Sequence, residues 1–168
     1  PATDSAINVS GPFPRIQLDL PLIGRDTEKQ AVLDSFASNN RVTAILGFGG
    51  VGKTRLAAEI AITAADFRDG VIWHRIDDLA TPQKLIQQAR EHLNLPPMED
   101  DPTWDELGKR QLLLILDNAE DCTMPDAYLQ RLNTLNPDGG PRVLITSRLL
   151  LNKLKAKRIA LVAPYREV

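Results

Sequence analysis

The chain has 168 residues, 43% of them hydrophobic and 25% charged, with a formal net charge of −2. That is the length of one ordinary domain with apolar content for a full α/β core, and it excludes a disordered chain. The near-balanced charge gives no broad footprint for nucleic acid, no apolar run approaches the roughly 20 residues of a membrane span, and no basic-then-apolar leader is seen at the N-terminus.

Residues 1–21 hold Pro1, Pro12, Pro14 and Pro21 among polar residues and read as an extended, partly mobile leader. Residues 22–168 read as one domain. After Leu22-Ile23-Gly24-Arg25-Asp26, Thr27 and Gln30 have capping-box spacing, and Val32, Leu33 and Phe36 form a helical stripe. The first strand is expected over Arg41–Leu46, followed by a glycine-rich turn and a helix to about Ala65. Asp69-Gly70 signals a turn and Val71–Ile76 a second strand, in which His74 reads as a residue with a satisfied ring. Thr81-Pro82 caps a helix carrying Leu85, Ile86, Ala89 and Leu93 on one face, and Pro96-Pro97 stops it. Asp101-Pro102 opens a shorter helix with Trp104 and Leu107 inward.

Gln111–Asp117 is an almost unbroken apolar run ending in an acid, as expected of a central strand buried on both faces. Tyr128 or Leu129, Leu132 and Leu135 mark another helix. A fourth strand is expected over Arg142–Thr146, a short helix over Leu149–Lys155 and a fifth strand over Arg158–Val162. The single cysteine, Cys122, excludes an internal disulfide and fits a reducing, cytoplasmic setting. With no histidine near it in sequence, it reads as a packed side chain rather than a nucleophile. Strands alternating with helices predict a three-layer α/β sandwich around a parallel sheet.

The chemistry concentrates in Gly47-Phe48-Gly49-Gly50-Val51-Gly52-Lys53-Thr54, a G-x-x-x-x-G-K-T pattern between an apolar strand and a helix. A triphosphate needs many donors without bulky side chains in the way. Glycines let the main chain wrap with N–H groups inward, and the positive end of the next helix adds field at the same place. Lys53 is placed to reach the β/γ-phosphates and Thr54 to ligate Mg2+. Gly49, Gly50, Val51, Gly52, Lys53, Thr54 and Arg55 are therefore candidate cofactor-binding residues, with ATP or ADP and Mg2+ as the cofactors.

Asp117, at the C-terminal end of its strand, is a candidate Mg2+ ligand with Thr54, usually through water. Arg148, at the end of the Thr146-Ser147-Arg148 strand terminus, is a candidate for telling triphosphate from diphosphate. A complete strand lies between the phosphate-loop strand and the Asp117 strand. That is the layout of additional-strand P-loop NTPases, with five parallel strands in the order 5-1-4-3-2.

Leu22–Asp26, Gly47–Ala57, Leu113–Asn118 and Val143–Arg148 together resemble the STAND signalling ATPases, and within them the nucleotide-binding domain of the AP-ATPase or NB-ARC type. The resemblance covers about Leu22 to the end. It implies that Ile23 and Arg25 contact adenine, that Asp117 is the Walker B acid and that Arg148 is the sensor arginine. It also implies a nucleotide-dependent regulatory switch inside a larger signalling protein. The partners implied are helical, winged-helix, sensor and effector domains, with oligomerisation on activation. The chain is accordingly expected to be a module of something longer, with weak nucleotide affinity and little turnover by itself.

Two departures matter. Many members place a second acid after the Walker B aspartate, but Asn118 stands here, and an amide cannot act as a general base. Glu120 or Asp121 is a candidate substitute, each equally readable as a loop or helix-start acid, so hydrolysis is expected to be slow or conditional. Arg55 stands where many members carry a second threonine. The competing readings are a small-molecule P-loop kinase, disfavoured by the lack of an arginine-rich lid, and an origin-recognition-type DNA-linked ATPase. The latter would rest on Lys153, Lys155, Lys157 and Arg158, which read more simply as a solvated face, so no direct nucleic-acid binding is expected.

Overall fold

Uncharged apolar runs satisfy their backbone by pairing with one another, and helices between successive runs make the pairing parallel. The computed structural model describes residues 7–14, 22–63, 65–77, 81–121, 126–135, 138–148 and 155–162. Cys122 and residues 149–154 of the expected helix lie outside them, as do the side chains of Asp121, Tyr128 and Leu129. The elements are β1 (Val9–Ser10), α1 (Asp26–Ala37), β2 (Val42–Leu46), α2 (Lys53–Ile62), β3 (Val71–Arg75) and α3 (Pro82–His92). Then come α4 (Asp100–Gly108), β4 (Leu113–Asp117), a 3-10 turn (Ala119–Asp121), α5 (Asp126–Thr134), β5 (Arg142–Ser147) and β6 (Lys157–Ala160).

The sheet has six strands, β1-β3-β4-β5-β2-β6, with every neighbouring pair parallel. This corrects the expected five strands in the order 5-1-4-3-2. The segment read as a leader contributes β1 at one edge, which changes the count and renumbers every strand; from the other edge the sheet runs β6, β2, β5, β4, β3, β1. Two residues beside prolines carry no periodic signal, so β1 exists because the edge of β3 needs a partner. Val71 N donates to Asn8 O at 2.8 Å, and Phe13 packs edge-to-face on Trp73 with ring centroids 5.3 Å apart.

The strands alternate between two apolar layers, as a period of two requires. Val42, Ala44, Ile72, Leu114, Leu116, Val143 and Ile145 join the layer that holds Leu85, Ile86 and Ala89 of α3, Trp104 and Leu107 of α4, and Leu132 of α5. Ile45, Val71, Trp73, Leu113, Ile115 and Leu144 face the other layer, with Val32 and Phe36 of α1 and Leu56, Ala57 and Ile60 of α2. Every residue of β4 is buried, which explains its unbroken apolar run.

Two local expectations change. Helix α1 begins at Asp26 behind Arg25, with no side-chain cap, so the Thr27–Gln30 box does not form. Gln30 instead donates to Asp34 at 2.8 Å, and Asp26 and Glu28 in the first turn suit the helix dipole. His74 is 5% exposed and its Nδ1 lies 3.0 Å from Gln88 Oε1, while Nε2 has no partner among the described residues. The ring is half satisfied, not fully. Thr81 caps α3 as expected, accepting from Lys84 N at 3.2 Å. Among the described residues no helix is long and apolar enough to cross a membrane.

Candidate functional site

The C-terminal ends of β2, β4 and β5 come to one rim, with β5 between the other two. Leu46 pairs with Ser147, and Leu116 pairs with Ile145, so Asp117 and Thr146 become neighbours one step further on. This is the edge at which open α/β sheets bind ligands.

The turn from β2 into α2 follows the wrapped path that its glycines permit. Gly50 and Gly52 adopt φ of +76° and +101°, which side chains rarely tolerate. A Cβ at Gly47 would lie 2.8 Å from both Leu161 O and Val51 Cγ1. Lys53, first residue of α2, is 7% exposed, and its Nζ donates to Gly47 O and Phe48 O at 2.8 Å each. Burial pulls this ammonium below the ordinary lysine value; the Glu120 carboxylate opposes that, Arg148 reinforces it and Asp117 opposes it. The ammonium is thus held against its own loop by two carbonyls, a hold that a polyphosphate of opposite charge can replace.

Thr54 Oγ1 donates to Asp117 Oδ1 at 2.9 Å, joining the loop helix to β4. Thr146 Oγ1 donates to the same oxygen at 2.6 Å and accepts from Asn118 N at 3.0 Å. Asp117 is 3% exposed. Among the described residues no cluster of three or more His, Cys, Asp or Glu side chains is assembled to hold a metal. One carboxylate and one hydroxyl, both oxygen donors, fit Mg2+, which keeps waters and takes phosphate oxygens for the rest of its shell. They would not make a closed site for zinc.

Asn118 has φ of +61°, a left-handed residue that turns the chain straight into the 3-10 segment. The turn brings Glu120 to Arg148, whose Nε donates to Glu120 Oε1 at 3.1 Å and whose backbone N donates to Oε2 at 3.2 Å. Burial tends to raise the Glu120 carboxyl, but hydrogen bonds from its own backbone and from Arg148 outweigh it and hold it below the usual carboxylate range. Glu120 is therefore a paired anion in this arrangement, poorly suited to accept a proton.

Arg25 is 5% exposed and bonds three ways, from Nη1 to Glu28 Oε1 at 2.8 Å and from Nη2 to Val51 O at 3.0 Å and Val162 O at 2.7 Å. It staples the segment before α1 to the phosphate loop and to the chain after β6. Ile23 and Val162, at 84% and 70% exposed, stand beside that staple in sequence, and Phe48 projects from the loop at 85% exposed. Arg55 lies along α2, with Nη2 3.4 Å from Glu59 Oε1.

The chain is similar to a STAND protein with a tetratricopeptide repeat sensor from Pyrococcus horikoshii, with a TM-score of 0.59 and 17% identity over 89% of this chain and 24% of that one. It is also similar to a Walker-type ATPase of Pyrococcus abyssi, with a TM-score of 0.58 and 15% identity over 82% and 53%. The fold is that of a P-loop NTPase. PCH-2 of C. elegans gives a TM-score of 0.54 at 14% identity, covering 84% of this chain and 43% of that one. In sequence, 87 residues are 36% identical to putative HTH-type transcriptional regulators of Mycobacterium tuberculosis and Mycobacterium bovis. That match takes in 49% of this chain but 10% of the regulators' own length, so the chain spans a small part of them. No protein-family model matches.

Of the candidate residues, Lys53, Thr54, Asp117, Glu120 and Arg148 converge on the rim of this P-loop NTPase fold. Arg25 sits behind it, and Arg55 is turned along its helix. Thr146 carried no expected role, although its hydroxyl shares Asp117 Oδ1 with Thr54. The signal was a hydroxyl at a strand end, but its meaning depends on β5 lying beside β4. Two of the three acceptors of Arg25 are backbone carbonyls, which leave no mark in a sequence.

Proposed function

We propose that this chain is the nucleotide-binding module of a STAND-type signalling ATPase of the AP-ATPase or NB-ARC kind. It binds ATP and ADP with Mg2+ and acts as a regulatory switch for a larger protein. The observation that carries the reading is the buried Lys53 ammonium on its glycine loop, with Thr54 joined to Asp117 two strands away. Lys53 would exchange its two carbonyl partners for phosphate oxygens, and loop amides at the start of α2 would supply further donors. Thr54 and Asp117 would hold Mg2+, which when bound neutralises phosphate charge. Ile23 would flank the base, and Arg148 would meet the γ-phosphate that ADP lacks. The energy difference between the two nucleotides at Arg148 and at the Mg2+ ligands is what can bias two arrangements of the parent chain.

Hydrolysis would be slow, because Asn118 follows Asp117 and Glu120 is paired. The similarity to a STAND protein and to putative HTH-type regulators supports a longer chain with sensor and DNA-binding output parts, which would be this module's partners. Incubated with a mixture of nucleotides, the purified chain should retain adenine nucleotide, and exchange of added ATP for ADP should follow Mg2+. Recovery of guanine nucleotide instead, or phosphate transfer to small acceptors, would count against the reading.

A further inference from the structure

We infer that Glu120 is a positioning residue that sets the preference of this site for triphosphate over diphosphate, by fixing Arg148 beside the phosphate loop through its Nε and backbone N. The inference rests on nucleotide occupying the Lys53 loop as proposed above.

The hold is specific in its geometry. Glu120 uses one oxygen on Arg148 Nε and the other on Arg148 backbone N. A carboxylate gripping those two donors fixes the first part of the side chain and does not use the two terminal nitrogens. Arg148 Nη1 and Nη2 make no hydrogen bond to the described residues. The burial of the two partners is unequal: the Glu120 side chain is 9% exposed, the Arg148 side chain 58%. The anion is thus the fixed, inner member of the pair and the cation the outer, presented one. Arg148 also lies against the phosphate loop, its Cδ 4.0 Å from where a Cβ would stand on Gly49. A planar fork whose two terminal nitrogens bond none of the described residues suits a terminal phosphate, which offers several oxygens at once.

The position of Glu120 is no accident of a loose loop. The left-handed Asn118, tied through its N–H to Thr146, starts the turn that carries Glu120 over to the end of β5. A freely rotating arginine would lose several torsions on meeting a phosphate, whereas one already gripped at Nε loses fewer.

Two physical effects of removing Glu120 have opposite sign, which makes the inference testable. Loss of a nearby negative charge, acting alone, favours the more highly charged ATP. Loss of the grip on Arg148 disfavours ATP and leaves ADP almost untouched. Affinities of Mg-ATP and Mg-ADP are to be measured by calorimetry for wild type, Glu120→Gln, Glu120→Ala and Arg148→Ala, each checked for folding by thermal melting. The ratio of ATP to ADP affinity is expected to fall about three- to tenfold in Glu120→Ala, with Glu120→Gln between it and wild type, since an amide can still accept one of the two hydrogen bonds. In the Arg148→Ala background Glu120→Ala should no longer lower the ratio and should leave it level or raise it, because the grip then has nothing to hold and only the charge effect is left. A ratio that rises or stays level in both Glu120 variants, with both nucleotides still binding, overturns the inference and leaves the nucleotide reading intact. Binding of neither nucleotide by wild type overturns both.

Discussion

Arg25 offers the sharpest separation between packing and chemistry. Its guanidinium is nearly buried and donates to two main-chain carbonyls, Val51 O on the phosphate loop and Val162 O after β6, besides pairing with Glu28. A hydrogen bond to a charged group contributes about 1.5–3 kcal/mol, and the two carbonyl bonds here are only partly buried, so water can replace some of what is lost. Truncation admits some water beside the exposed Ile23 and Val162, which offsets part of the loss. Arg25→Ala should therefore cost about 3 kcal/mol, or about 6–12 °C in melting temperature for a domain of this size. Arg25→Lys should recover about half, since an ammonium lacks the fork that spans two acceptors. Glu28→Gln should cost less than about 1 kcal/mol, because an i,i+3 pair with a partly exposed acid contributes little. Thermal unfolding followed by circular dichroism reads all three. If Arg25→Ala melted within about 2 °C of wild type, or Glu28→Gln matched it, the staple would not be what holds these segments.

Other outcomes follow from the same geometry. Asp117→Asn keeps an oxygen able to accept from Thr54 and Thr146, so stability should change by less than about 1 kcal/mol. The amide is a poor Mg2+ ligand, so calorimetry with and without the cation should show the Mg2+-dependent part of ATP affinity lost; a retained Mg2+ effect contradicts the assignment. Burial holds His74 below its ordinary value of 6.5, with Gln88 opposing. The unfolded chain then binds more protons between the two values, so this contribution to stability is present above about pH 6.5 and is lost as pH falls below it. Denaturant midpoints at about pH 7.5 and 5.5 should differ more in wild type than in His74→Gln, and equal differences would refute this.

Much of this was legible in the residues because the determinants are local. The glycine loop, its strand and its helix are one continuous stretch, and the Lys53–Thr54 pair sits inside it. The unbroken run into Asp117 announced a strand covered on both faces, and β4 is buried throughout. What escaped depends on partners distant in the chain. β1 is a strand because β3 offers it an edge, a property of residues 71–72 more than of Val9 and Ser10. The Thr27–Gln30 box had the right spacing, yet the staple by Arg25 fixes the entry to α1 and leaves the box unused. Thr146 and Glu120 acquire meaning from the turn at Asn118 and the adjacency of β4 and β5, neither of which is written in spacing.

The account stands on the buried ammonium at the start of α2 serving bound phosphate. Calorimetric titration of Mg-ADP and Mg-ATP into wild type and Lys53→Ala, with a melting curve to establish that the variant is folded, tests it most directly. Saturable binding in wild type that disappears in the folded variant is the predicted result. Equal affinity in the two proteins would contradict it.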